Sequence, residues 1–194
     1  MPRVTGLRAA RAGRAAVEVD GERWRTLPLE VVAEGGLAVG IELTRPLLRT
    51  VRRGLRRHGA LQAATRALRA RPLSVRRLDE RLRRAGFVPS ERAETIDVLR
   101  RAGFLDDERF ALMRAEALAE RCSGNALIRH DLLVQGIDGE IAEQALGSLE
   151  PETSRAARIA ASRGSDITTA RYLARRGFGE EAVEAALTVV AEEA

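Results

Sequence analysis

Apolar positions along the chain follow two different periods. Over 16–26 they alternate, as Ala16-Val17-Glu18-Val19 and then Glu22-Arg23-Trp24-Arg25-Thr26, with Asp20-Gly21 between. Alternation reads as strand, and Asp-Gly reads as a two-residue hairpin turn. Val17, Val19 and Trp24 are expected to share an apolar cluster, with an earlier strand over 4–7. Pro28 opens a short helix over 29–33, which Gly35-Gly36 stops.

From Thr44 onward the period lengthens to that of a helix. Thr44 caps a helix predicted over 44–57, with Leu47, Leu48, Val51 and Leu55 on one stripe. Further helices are predicted over 61–70, 74–85 (Leu78 and Leu82 inward) and 89–102 (Ile96 and Leu99 inward). Asp106 caps the next, with Phe110, Met113 and Ala117 on its inner stripe. Two shorter helices follow over 125–135 and 139–149, and Pro151 opens a last group over 152–163, 166–176 and 180–193.

The ends of these helices repeat. Arg-Arg-Ala-Gly-Phe stands at 83–87 and again at 100–104, Arg175-Arg176-Gly177-Phe178 is a close variant, and Gln135-Gly136-Ile137 a weaker one. Arginines in a last turn face the negative end of the helix dipole. The glycine takes a left-handed cap position, and the apolar residue after it folds back onto the helix. Leu82, Leu132 and Leu173 stand four residues before Gly86, Gly136 and Gly177; Ile96, Leu146 and Leu187 stand nine residues after Phe87, Ile137 and Phe178. The predicted fold class is therefore all-α, made of three tandem three-helix repeats behind a small N-terminal cap containing the β-hairpin. The expected domains are 1–58 (cap and basic helix), 59–104, 105–150 and 151–194.

Composition narrows the function. The chain has 194 residues, 45% hydrophobic but only 3% aromatic, which suits thin aliphatic helical units. All 33 basic residues are arginine. Without lysine there is no Walker A loop and no Schiff-base chemistry. The net charge of +5 divides into +12 over 1–86 and −7 over 87–194, which reads either as two unlike surfaces for two partners or as a solvated basic helix pair. The single cysteine, Cys122, permits neither an internal disulfide nor a cysteine zinc site. No apolar run approaches the roughly 20 residues of a membrane helix. A cytoplasmic monomer with no membrane contact is expected.

No catalytic constellation is legible. His58 and His130 lie far apart, in different helices, and are read as surface residues. Asp106 and Asp107 are read as an N-cap and a first-turn acid, not a metal pair. Gly35-Gly36 lacks the setting of a nucleotide loop, and Ser123-Gly124 that of a nucleophile elbow. No cofactor is expected.

Three stretches resemble the RecX family of recombination regulators: Gly103-Phe104-Leu105-Asp106-Asp107-Glu108-Arg109-Phe110-Ala111, Arg121-Cys122-Ser123-Gly124-Asn125-Ala126-Leu127-Ile128-Arg129, and Leu132-Leu133-Val134-Gln135-Gly136-Ile137. Asn125 stands where that family often has proline, and Gln135 where a basic residue is common. The resemblance implies an elongated, curved array of repeats lying in the groove of the RecA–DNA filament. It further implies limited filament growth or promoted disassembly, with RecA's ATP hydrolysis, strand exchange and co-protease activity reduced. Candidate contacts with the RecA filament, or with single- or double-stranded DNA, are Arg49, Arg52, Arg53, Arg56 and Arg57, denser than capping requires, and Arg109, Arg114, Arg121 and Arg129. Asp106, Asp107, Phe110, Gly86, Gly103, Gly136 and Gly177 form the structural motif. Two other readings stand beside this one: a DNA-binding protein that does not read sequence, since few Asn, Gln or Ser accompany the arginines, and an adaptor for another protein.

Overall fold

The structure, a computed structural model, describes residues 1–164 and 166–192, with side chains described through Thr188. Three strands, β1 (Val4–Ala10), β2 (Arg14–Val19) and β3 (Glu22–Pro28), form an antiparallel sheet in the order β1-β2-β3. Val19 pairs with Glu22, leaving Asp20 (φ +52°) and Gly21 (φ +85°) as the turn. Both turn residues have positive φ, the condition that favours Asp-Gly in a two-residue hairpin.

Among the described residues ten helices follow: α1 (Leu29–Glu34), α2 (Arg45–Ala70), α3 (Val75–Arg84), α4 (Pro89–Arg101), α5 (Asp107–Glu120), α6 (Asn125–Gln135), α7 (Gly139–Gly147), α8 (Glu152–Arg163), α9 (Ile167–Arg175) and α10 (Glu180–Glu192). They group into two compact units, residues 1–71 with 79–101 and residues 72–78 with 102–194, the division falling inside α3.

In the first unit, Val4, Val17 and Leu27 of the sheet meet Val31 of α1 and Val51 of α2 in one core, with Val19, Trp24, Leu47, Leu48 and Leu55 packed around it. The two helices expected over 44–57 and 61–70 are a single 26-residue helix, so the expected boundary at 58/59 falls inside α2. Glycine within a helix costs about 1 kcal/mol, but here Gly54 serves packing, whereas Gly59 has room for a methyl group. A Cβ on Gly54 would stand 3.3 Å from Val31 Cγ1, and one on Gly59 would stand 3.8 Å from the Phe87 ring. Ala60, Ala64 and Ala67 of α2 are buried as well.

In the second unit, α5, α6 and α7 enclose Ala111, Ala115, Ile128, Leu132, Ile137 and Leu146. The inner stripe of α5 is therefore Ala111 and Ala115, flanked by Phe110 and Leu118. Met113, expected inward, is 51% exposed, and Ala117 is exposed. Helices α8, α9 and α10 enclose Ala156, Ile159, Ala160, Leu173, Phe178, Ala182 and Ala186.

The repeated helix stop is the same turn three times. Phe87 N–H donates to Leu82 O (3.2 Å), Ile137 N–H to Leu132 O (3.1 Å) and Phe178 N–H to Leu173 O (3.1 Å). Gly86, Gly136 and Gly177 have φ of +85°, +84° and +81°. This is the Schellman pattern, and the leucine four residues before each glycine is buried in every case. The second Arg-Arg-Ala-Gly-Phe copy differs. Gly103 is left-handed at φ +72°, but Phe104 is 67% exposed and Leu105 is the buried residue. The reason is the helix that follows at once: Leu105 precedes the Asp106 cap and Phe110 lies in the next turn, the two positions of a hydrophobic staple.

Candidate functional site

Asp106 caps α5 as expected, accepting from Arg109 N–H at 2.9 Å. Asp107 does more than supply a first-turn charge. Its Oδ1 accepts from Val75 N–H at 2.9 Å, so it also caps α3, 32 residues earlier. This contact belongs to a joint between successive helical groups. Ser74 Oγ donates to the Gln135 carbonyl at 2.5 Å, and Arg77 Nε donates to Gln135 Oε1 at 3.1 Å. The start of α3 thus sits on the glycine turn that ends α6.

The next joint repeats the arrangement. Gly124 N–H donates to Arg176 O at 2.8 Å and Ala126 N–H to Gly177 O at 3.1 Å, so the start of α6 sits on the turn that ends α9. Glu152 receives Asn125 N–H at 2.5 Å and Gly179 N–H at 3.3 Å. Gly124 has no room for a Cβ, which would meet the Gly177 backbone. Gln135 and Asn125 are therefore both joint residues: Gln135 holds Arg77, and Asn125 Oδ1 accepts from Arg155 at 2.5 Å.

Two arginines secure this second joint: Arg155, which sequence reading passed over, and Arg176, which it read as facing the dipole of its own helix. Arg155 is 4% exposed, donates to the carbonyls of Ser123 (2.8 Å) and Glu150 (3.1 Å), and lies 5.8 Å from the Phe178 ring centroid. Burial lowers its pKa from the usual arginine range. Arg176 donates to the carbonyls of Arg121 and Cys122, beyond the C-terminus of α5, so it does not serve the dipole of its own helix alone. A signal for Arg155 exists in the sequence, since it stands on the buried stripe of Ala156, Ile159 and Ala160.

The nine candidate contact arginines divide by their partners. Arg56 forms a two-point ion pair with Glu91, at 2.5 and 3.1 Å, and Arg57 pairs with Glu34 and Glu94 at 3.0 and 3.8 Å. Glu91 is 8% exposed, and the Arg56 hydrogen bond holds its carboxyl below the usual range. Arg114 pairs bidentately with Asp131, and Arg129 with Glu143, whose pKa is lowered by the same hydrogen bond. Arg109 donates to the Gly103 carbonyl at 2.8 Å. Arg49, Arg52, Arg53 and Arg121 are exposed and have no side-chain partner among the described residues. His130 is exposed; His58, expected at the surface, is half-buried, with Nδ1 3.2 Å from Glu30 Oε2.

Among the described residues, no group of three or more His, Cys, Asp and Glu could hold a metal ion, and no helix is long and apolar enough to cross a membrane. These features define a helical-repeat protein with a small N-terminal antiparallel sheet. Residues 106–146 match the family model described as RecX, second three-helix domain. The chain is 32% identical over 133 residues to the regulatory protein RecX of Chromohalobacter salexigens, covering 64% of this chain and 88% of that protein. It is 37% identical over 102 residues to the regulatory protein RecX of Syntrophotalea carbinolica, covering 52% of this chain and 66% of that protein. Two crystal structures share the fold at 18% identity. One, of a regulatory protein RecX, superposes with a TM-score of 0.80 over 95% of this chain and 98% of its own. The other, of RecX from Lactobacillus salivarius, does so at 0.63 over 71% and 97%. The chain belongs to the RecX family of regulatory proteins.

Proposed function

We propose that this protein binds the RecA nucleoprotein filament in the cytoplasm, as a monomer, and lowers RecA's ATP hydrolysis, strand exchange and co-protease activity. It does so by limiting filament extension or promoting disassembly, with no chemistry of its own. The observation that carries the reading is the likeness to regulatory protein RecX over 88% of a relative's length. The repeat units are taken as 59–104, 105–150 and 151–194. The backbone joints of the second unit give a binding surface a fixed register, and opposite net charges on the two halves of the chain suit unlike partner surfaces. Arg49, Arg52, Arg53 and Arg121 are the filament contacts of first choice, because folding leaves them unpaired. Arg56, Arg57, Arg109, Arg114 and Arg129 act mainly by holding the fold.

The test is a titration of purified protein into RecA, single-stranded DNA and ATP, following hydrolysis. Falling hydrolysis with rising protein is expected; unchanged hydrolysis at several-fold molar excess overturns the reading.

A further inference from the structure

In the first unit α1 and α4 both pack on α2. Between them lies a trough of about 330 Å³, near the lower end of the roughly 300–1,000 Å³ usual for small-ligand sites. Each helix lines it with one face. Arg57, His58 and Leu61 recur at helical spacing on α2, as do Glu94, Asp97, Val98 and Arg101 on α4, and α1 supplies Glu30 and Glu34, one turn apart. Residues seven apart on a helix span about 10 Å, so the trough accommodates an extended ligand. Val31, Leu61 and Val98 give it apolar surface.

The charge of the trough runs against that of the sequence around it. Residues 1–86 carry a net +12, yet the lining holds four carboxylates and two guanidinium groups. Pairing inside the trough is incomplete. Arg101 donates to Asp97 at 2.7 Å and Arg57 to Glu34 at 3.0 Å. Glu94 lies 3.8 Å from Arg57, beyond hydrogen-bond reach, and its side chain accepts no hydrogen bond among the described residues. Glu30 has the His58 ring as its partner, at 3.2 Å, and no guanidinium. Arg57 itself reaches a carboxylate on each wall, so a cation fits between α1 and α4. Among the described residues no three acidic, histidine or cysteine side chains come close enough to hold one metal ion, so no single ion gathers these carboxylates. The cation that suits them is an extended one.

We propose that this trough binds a polyamine, an alkyl chain bearing two or more ammonium groups. One ammonium pairs with Glu30 on α1 and another with Glu94 on α4, and the methylenes between them cover Val31, Leu61 and Val98. Alkylammonium chains pack in this way, the stem along apolar surface and the charged head in polar surroundings. A lysine or arginine side chain of a protein partner carries its charge at one end and leaves one wall unmatched, whereas a polyamine matches both. The proposal stands apart from RecA binding and is tested without RecA.

The experiment titrates spermidine into the full chain by isothermal titration calorimetry, with magnesium chloride and tetra-arginine in parallel. One saturating site per chain is expected, with affinity that falls as salt rises and a melting temperature that climbs with spermidine concentration. The Glu30→Gln, Glu94→Gln double variant should lose roughly tenfold or more in affinity, and each single variant less. Both residues are exposed, so the melting curves of the free variants should stay near that of the wild type. Glu108→Gln with Glu140→Gln, two exposed carboxylates outside the trough, should leave affinity unchanged.

The absence of both a binding isotherm and a rise in melting temperature overturns the proposal. So does a Glu30, Glu94 double variant that binds as the wild type does, or a Glu108, Glu140 variant that loses as much, since binding would then be general attraction to acidic surface. Magnesium that competes with spermidine on equal terms would reduce the trough to a counter-ion patch, and tetra-arginine that spermidine cannot displace would assign it to a basic protein segment; either result overturns the polyamine reading.

Discussion

Three glycines in the same backbone conformation are expected to respond unequally to the same substitution. Gly86, Gly136 and Gly177 have φ within a few degrees of one another, from +81° to +85°. An L-residue in that region costs about 1–2 kcal/mol, offset by about 0.4–1 kcal/mol from the reduced freedom of the unfolded chain. At Gly86 an added Cβ meets nothing within 4 Å, so Gly86→Ala should cost about 1 kcal/mol. At Gly136 the Cβ would lie 2.7 Å from Arg76 Cβ, which moves only if the start of α3 shifts. At Gly177 it would lie 2.7 Å from Leu127 N, main chain that moves only if α6 shifts. Overpacking of that kind adds about 1–3 kcal/mol, giving about 2–4 kcal/mol in all at either position. With roughly 2–4 °C per kcal/mol at this chain length, Gly136→Ala and Gly177→Ala should each melt about 5 °C below Gly86→Ala by far-UV circular dichroism. A Gly177→Ala melting temperature equal to that of Gly86→Ala would refute the seating of α6 on the α9 turn.

Leu105→Ala should cost about 2–5 kcal/mol as a buried-leucine truncation, whereas Phe104→Ala should stay within about 0.5 kcal/mol; urea unfolding of the two variants checks this, and the reverse order would restore the packing read from the sequence. Glu91 bears on acid stability. Its folded pKa is depressed by Arg56, so its contribution is present above the unfolded value of about 4.3 and is lost as pH falls through the folded value. Melting temperature should therefore decline more steeply below about pH 4.3 in the wild-type protein than in Glu91→Gln, and parallel curves would show that the pair contributes nothing. Arg114→Ala should lower stability by about 1 kcal/mol by unpairing Asp131, while Arg49→Ala should leave it unchanged. Chemical denaturation of both distinguishes a structural arginine from a free one.

Local features were legible in the sequence because neighbouring residues cause them. Asp20-Gly21 demands its turn, Asp106 its cap, and the leucine and glycine four residues apart their Schellman stop, whichever helix they end. The period of apolar residues located the helices for the same reason. Where it failed, a competing contact decided. Gly54 and Gly59 look like interruptions along the chain, yet α2 runs through both; at Gly54 Val31 packs where a side chain would stand. Met113 has the spacing of a core residue, but the small Ala111 and Ala115 face the other helices.

The arginines divide along the same line. Their number, their clustering and the lack of lysine are properties of the sequence alone, and with them go an aliphatic helical repeat and the residues that resemble the RecX family. Which guanidinium groups are free is a property of the fold. A carboxylate 35 residues away neutralises Arg56, and one 17 residues away neutralises Arg114. Arg155 disappears into a joint between groups. An ion pair depends on distance in space, which sequence separation does not fix, and only the folded chain shows Arg49, Arg52 and Arg53 left without partners among the described residues.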